Sequence, residues 1–325
     1  MLVLGLLGSP RKNGNTDFLL STFMQETESC GAETRILRVC DYHILPCQGC
    51  SMCERQGCCP LKDDMEDVIY PLLRKAEVII MATPVFFYGV PAQLKALIDR
   101  CQLLWSRRYR MNLHDPNERQ RRGFLLALGA TRGANLFQGI SLTTKYFFDG
   151  IGTRMDGSLT YRRIETRGDM AAHPTMRQEV KKEAGRLMEY YCRRIPIVFA
   201  CRENACRSQM AAAFAQHLAG DRFEVHSAGS SPAVQINPLM VQVMAEKELD
   251  LAFRVPVALG ELVSNVTPKL LITMGCGEEC PLIPGMKRMD WDLPDPAGQS
   301  VDFMRKVRDD IEGRVKNLVQ SFHLF

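Results

Sequence analysis

Apolar positions in this chain fall in short continuous runs, and most runs are followed by a polar loop and then by a stretch with helical spacing. Residues 1–7, 76–82, 123–128, 195–201 and 269–274 are nearly uninterrupted hydrophobic segments of strand length. A strand with one wet face alternates apolar and polar residues, whereas a continuous run has both faces covered, as in a parallel sheet packed between helices. Helical spacing follows at Phe18, Leu19, Thr22 and Phe23, then over 92–104, 135–149 and 174–193, and later over 208–219, 238–247, 259–263 and 301–322. Further strands are expected at 159–164 and closing at His226-Ser227-Ala228-Gly229. The repeated order of strand, loop and helix predicts an α/β protein of two doubly wound parallel-sheet domains, one over 1–193 and one over 194–325.

Ligands of such sheets bind at the carboxyl ends of the strands. There the run 195–201 leads into Cys201-Arg202-Glu203-Asn204-Ala205-Cys206-Arg207-Ser208. With five residues between Cys201 and Arg207, a closed loop can hold a thiolate, a guanidinium and several backbone N–H donors around one tetrahedral oxyanion. The helix beginning at 208 aims its N-terminal dipole at the loop and makes the thiolate available at neutral pH. After 1–7 comes Gly8-Ser9-Pro10-Arg11-Lys12-Asn13-Gly14-Asn15-Thr16, whose small residues admit a phosphate to the backbone and whose Ser9 and Thr16 hydroxyls can donate to it. Neither the dinucleotide nor the Walker glycine pattern is met, so a monophosphate, as in FMN, fits better than a pyrophosphate.

After 76–82 comes Thr83-Pro84-Val85-Phe86-Phe87-Tyr88-Gly89. Aromatics on such a loop are costly if left in water, and a flat ring lying on them removes that cost. Between these two loops lie Cys47, Cys50 and Cys53, then Cys58 and Cys59. Three thiolates two residues apart with a fourth close behind suit a cubane (4Fe-4S) iron–sulfur cluster, with Cys58 and Cys59 competing for the fourth position. Zinc, which prefers two separated Cys pairs, and a thiol loop without a cluster are the alternatives.

Composition trims these readings. With 46% hydrophobic and 24% charged residues the chain can bury full cores, and a dispersed net charge of +4 gives no footprint for nucleic acid. Arg107, Arg108, Arg110, Arg119, Arg121 and Arg122 are grouped, which reads as a solvated loop or subunit interface. The apolar run 78–98 is broken by Pro84, Gly89, Pro91 and Lys95, so no membrane span is expected. The opening residues lack a basic leader region and a cleavage site, so the 13 cysteines are expected in cytoplasmic thiol and metal chemistry. Cys30, Cys40, Cys101 and Cys192 have no partner at useful spacing and are expected to be buried as small apolar residues.

These motifs resemble known families. Gly8-Ser9-Pro10-Arg11 with Asn15-Thr16, and Thr83 to Gly89, resemble the NADPH-dependent FMN reductases of the flavodoxin-like superfamily. The cysteine run resembles their iron–sulfur flavoprotein branch, whose pattern is matched by Cys47, Cys50, Cys53 and Cys59. The resemblance implies FMN held by Ser9, Arg11, Asn15, Thr16 and Thr83, Pro84, Val85, Phe86, Phe87, Tyr88 and Gly89, a homo-oligomer, and NAD(P)H or a ferredoxin as electron donor. From 194 onward Cys201, Asn204, Arg207, Ser208 and Asp295-Pro296 resemble the low-molecular-weight protein tyrosine phosphatases. Ala297-Gly298 stand where those enzymes carry ring-gripping aromatics, and Met274-Gly275-Cys276 through Cys280-Pro281 is similar to the arsenate reductases built on that fold.

The second resemblance implies that Cys201 attacks arsenate, that Arg207, Asn204 and the loop amides hold the oxyanion, and that Asp295 protonates the leaving oxygen. Cys276 then attacks Cys201, and Cys280 carries the oxidation outward. The short gap from Cys276 to Cys280 departs from the three-cysteine relay and implies that a thioredoxin-type or small thiol replaces one step. A phosphomonoester phosphatase using the same Cys201, Arg207 and Asp295, or an oxyanion sensor regulating a flavin carrier, are the competing functions.

Overall fold

The computed structural model describes residues 1–275 and 286–322. The chain forms two compact units, Met1–Asn112 with Gln120–Cys192, and Leu113–Arg119 with Arg193–Phe325. The segment Leu113–Arg119, which the sequence reading placed within 1–193, goes with the second unit. Its His114 donates a backbone hydrogen bond to Glu248 O at 2.8 Å and accepts one from Asp250 N at 2.8 Å.

The first unit holds strands β1 (Leu2–Leu7), β2 (Glu33–Arg38), β3 (Val78–Pro84), β4 (Arg122–Gly129) and β5 (Arg154–Arg162). They pair in the order β2-β1-β3-β4-β5, all parallel. The continuous apolar runs became β1, β3 and β4, the interior strands, with nearly every side chain buried. Helices Asn15–Ser29 and Met176–Cys192 lay Leu19, Leu20, Phe23, Val180, Leu187 and Met188 onto one face of this sheet. Each such side chain contributes about 1.5–3 kcal/mol by leaving water.

β2 was not foreseen from the sequence, because it is an edge strand of Glu-Thr-Arg-Ile-Leu-Arg in which only Leu37 is fully buried. The helix expected over 92–104 is broken at Cys101 into Ala92–Arg100 and Gln102–Tyr109. Of the unpartnered cysteines, Cys101 is buried as expected, whereas Cys30, Cys40 and Cys192 are exposed. Nor do the grouped arginines all lie in solvent. Arg121 is fully buried and donates to Ala76 O at 3.1 Å, Ile151 O at 2.7 Å and Leu73 O. Those carbonyls lie at the ends of helices Tyr70–Lys75 and Gln138–Gly150, where a cation is favoured by the helix dipole.

The second unit holds β6 (Ile195–Cys201), β7 (Phe223–Gly229), β8 (Leu270–Thr273) and β9 (Lys287–Asp290), parallel and in the order β7-β6-β8-β9. Helices Arg207–Ala219 and Val301–Ser321 cover one face through Met210, Phe214, Val307, Ile311 and Val315. A smaller cluster around Leu259, Val198 and Leu271 covers the other. β9 was also not foreseen, since its four residues are all exposed at the edge. In both units the first strand lies between the second and third, so the strand order reverses beside β1 and beside β6, the position at which ligands bind in sheets of this kind. Among the described residues no helix is long and apolar enough to cross a membrane.

Candidate functional site

The loop after β6 is shaped by its neighbours. The carbonyls of Cys201, Arg202, Glu203 and Ala205 accept hydrogen bonds from Ser230 N (3.2 Å), Ser231 N (2.9 Å), Ala233 N (2.9 Å) and Asn237 N (3.1 Å). In a trans peptide C=O and N–H point opposite ways, so pulling these carbonyls outward turns the N–H groups inward. The close approach requires Gly229, where a Cβ would lie 2.6 Å from Arg202 O and 2.9 Å from Asn204 N. Cys201 is buried at the mouth of this ring, with Ser208 Oγ 3.0 Å from its sulfur. Asn204 Nδ2 donates to Ser208 Oγ at 2.8 Å, so the hydroxyl hydrogen is free to point at the Cys201 sulfur.

Asn204 was expected to touch the oxyanion, but its amide is occupied otherwise. Its Oδ1 accepts from Val257 N at 2.8 Å and Gln209 Nε2 at 3.1 Å, and it is fully buried in a left-handed conformation with φ 52°. Arg207 is buried beside the loop, with Nη1 donating to Leu293 O at 3.2 Å and Nη2 ion-paired to Asp295 Oδ2 at 3.0 Å. Asp295 itself is mostly exposed, its other oxygen accepting from Ala297 N at 3.1 Å. Cys206, within the same loop, is buried, and burial followed by the neighbouring Cys201 pushes its thiol up to about 12. Cys276 and Cys280 lie outside the described residues.

The three loops above β1, β3 and β4 form the second constellation. Ser9 and Thr16 are buried at the loop after β1, and Ser9 Oγ accepts from Arg11 N at 3.3 Å while the Arg11 side chain is exposed. Asn15, expected on the phosphate, instead donates to Thr166 O at 2.8 Å and accepts from Gly168 N at 3.1 Å and Met170 N at 3.2 Å. Thr83 is buried, and Val85 N donates to Leu128 O at 2.8 Å, tying the loop after β3 to β4.

Phe86 and Gly89 exchange backbone hydrogen bonds at 2.9 Å, with Phe87 and Tyr88 between them at φ 48° and 62°. Two left-handed central residues define the I′ turn normally built from Asn-Gly. Bulky aromatics held there cost on the order of 1–3 kcal/mol each, and strain of this kind collects at ligand sites. Phe86, Phe87 and Tyr88 are all exposed. Arg162 fixes the third loop by donating to Arg132 O, Gly133 O and Ala134 O. Buried hydroxyls beneath small loops and an exposed aromatic shelf on the same edge fit a ring carrying one phosphate.

Cys47, Cys50, Cys53 and Cys59 line one cavity of about 410 Å³, and Cys58 is not among its lining residues. Gly49, Ser51 and Gly57 take left-handed conformations that curl the loop around it, and Ser106 Oγ lies 3.5 Å from Cys53 Sγ. Among the described residues no three metal-binding side chains converge on a single ion position. A cubane does not require that, because each thiolate binds a different iron and the four sulfurs surround a volume. The donor set and the cavity fit such a cluster, and of the two competing cysteines it is Cys59 that lines the cavity.

A model of the low molecular weight phosphotyrosine protein phosphatase family matches residues 196–323, and one of the NADPH-dependent FMN reductases matches residues 1–135. Over 129 residues the chain is 34% identical to arsenate reductase 1 of Bacillus cereus, taking in 38% of this chain and 94% of that protein. It is 32% identical over 131 residues to arsenate reductase 2 of Staphylococcus saprophyticus, covering 38% of this chain and 96% of the relative. The chain belongs to the arsenate reductase family.

An FMN reductase-type domain precedes the arsenate reductase domain. That first part is 38% identical over 132 residues to an iron–sulfur flavoprotein of Methanocaldococcus jannaschii, covering 41% of this chain and 64% of that protein. The chain thus spans less than two thirds of the flavoprotein it matches. A solved thioredoxin-dependent arsenate reductase of Corynebacterium glutamicum is 31% identical, covers 47% of this chain and 77% of its own, and superposes with a TM-score of 0.37.

Within the arsenate reductase-type domain, Gln209 and Val257 support the loop after β6 without having been singled out by sequence, and Gly229 was noted there only as a strand end. Only Cys206, sitting inside the motif, carried a local signal.

Proposed function

We propose that the protein reduces arsenate to arsenite at the Cys201 loop, and that its first unit is a flavin- and cluster-binding redox module that returns the thiols to the reduced state. The observation that carries the first part is the ring of outward-turned carbonyls with Cys201 at its mouth and Arg207 paired to Asp295. An oxyanion entering the ring meets inward N–H groups and competes with Asp295 for Arg207. The Cys201 thiolate, stabilised by Ser208 Oγ, forms a bond to arsenic(V). A hydroxyl leaves as water with a proton from Asp295. A second thiolate, assigned to Cys276, attacks the Cys201 sulfur. The sulfur–arsenic bond breaks, its electron pair stays with arsenic as arsenite, and a disulfide remains.

In the first unit Ser9, Thr16 and the loop amides would hold the phosphate of FMN, the Phe86–Gly89 turn its ring, and Cys47, Cys50, Cys53 and Cys59 a 4Fe-4S cluster. When bound, these groups bring two-electron and one-electron chemistry into the same chain. Purified protein incubated with arsenate and a thiol reductant should release arsenite, and no arsenite would overturn the reading. Cys276→Ser separates it from a phosphatase, because it should abolish multiple turnover with arsenate and leave hydrolysis of an aryl phosphate intact. For the redox module, adding arsenate without thiol to anaerobically reduced protein should reoxidise the flavin stoichiometrically and restore its oxidised absorbance. The same response in Cys201→Ser would sink that role.

A further inference from the structure

Behind the cysteine cavity lies an ion pair, Arg100 with Asp63, whose side chains are 1% and 0% exposed. A pair this deep contributes little net stability over apolar residues of the same size, so the fold alone gives it no reason to be there. Its hydrogen bonds show what it joins. Arg100 Nη1 donates to Leu45 O at 2.9 Å and to Asp63 Oδ2, and Nη2 donates to Asp63 Oδ1 at 3.2 Å and Leu61 O at 3.5 Å. Asp63 in turn accepts from Leu45 N at 2.8 Å and Met65 N at 3.1 Å. Leu45 precedes the cysteine run and Leu61 follows it, so the pair fastens both ends of the loop that carries the four thiols.

The pair is also polarised toward the cavity. Arg100 lines it and Asp63 does not, Cys59 lies within electrostatic reach of the guanidinium, and Arg100 Nε, buried, has no hydrogen-bond partner. Both Nη atoms are engaged on backbone and carboxylate, which leaves the Nε–H and the positive charge for whatever fills the space between the sulfurs. Taking up one electron makes an iron–sulfur cluster more negative, and a fixed cation with a free donor beside it favours that form.

We propose that Arg100 is a positioning residue for the cluster: it closes the ligand loop and sets the cluster's reduction potential higher than the four thiolates alone would, with Asp63 behind it moderating the effect. This rests on the cluster reading above. The test is a dithionite titration of the full-length, iron-loaded protein, monitored by electron paramagnetic resonance. Arg100→Met should shift the midpoint to more negative potential. Arg100→Lys, which keeps the charge and loses the fork, should shift it less. Asp63→Asn, which leaves the cation uncompensated, should shift it to more positive potential.

A purely structural pair would not produce opposite shifts. Midpoints equal to that of the unaltered protein, or moving in one direction in both Arg100→Met and Asp63→Asn, overturn the proposal. If Arg100→Met retains no iron, Asp63→Asn decides alone, a positive shift supporting the proposal and any other result overturning it. Loss of iron from all three variants assigns the pair to folding and also overturns it. Unaltered protein that binds no iron defeats the cluster reading itself, an outcome distinct from unchanged potentials in loaded variants.

Discussion

In each unit the first strand, β1 or β6, lies between the next two strands in sequence and runs at its carboxyl end into a loop that the sequence suggested for an anion. The loop after β1 is open, with small residues, buried hydroxyls and an aromatic turn nearby. The loop after β6 is closed, its carbonyls tied to 230–237 and a thiol at its mouth. An asparagine stabilises each. Asn15 ties its loop to the backbone of 166–170, and Asn204 joins Val257 to Ser208. The same topology thus carries an open loop, which suits the large flat ligand proposed for the first unit, and a closed loop, which suits the small oxyanion proposed for the second. The difference lies in how many loop peptides are held by neighbouring chain.

The largest way to break this comparison is at the nucleophile. Cys201→Ser should lower arsenite formation by on the order of 10⁴-fold or more, while the flavin and iron content of the purified protein stays the same. Substantial residual turnover would mean that the closed loop is not the reactive one.

Removing the two asparagines comes next. Asn204→Ala strips a buried network from a residue with positive φ and should destabilise the second unit by about 2–4 kcal/mol in urea unfolding. Asn15→Ala acts on a half-buried amide and should cost the first unit about 1 kcal/mol. Equal losses would show that the two loops are held alike.

The smallest effect is at alkaline pH. Burial pushes both Cys101 and Cys206 up to about 12 from an ordinary 9.0. The unfolded chain gives up these protons first, so the stability they carry is full below pH 9 and is lost as pH rises from 9 to 12. Cys101→Ala should flatten that alkaline decline in the first unit and Cys206→Ala in the second, as read by thermal melts between pH 8 and 11. Unaltered curves would place both thiols in water.

The interior strands were legible because burial on both faces forces continuous apolar runs, as in β1, β3, β4 and β6. The edge strands β2 and β9 were not, since a strand with one neighbour and exposed side chains has no hydrophobic signature to read. The grouping of Cys201 with Ser208 followed from local spacing and loop chemistry, and that of Arg207 with Asp295 from the family resemblance. The supports were not legible. Asn204 reaches Val257 across 53 positions of sequence, and in the first unit Arg100, behind the cysteine cavity, reaches Leu45 and Asp63 across 55 and 37. No local pattern encodes such contacts. The break at Cys101 escaped for a related reason, because helical spacing continues across it unchanged.

The outward-turned carbonyls after Cys201 also fix how the loop exchanges hydrogen with solvent. Its inward N–H groups have no carbonyl of their own loop to bond, so deuterium should enter them quickly until an oxyanion occupies the ring and slows it. The amides of 203–206 would therefore report occupancy peptide by peptide, whether or not any arsenic is ever reduced.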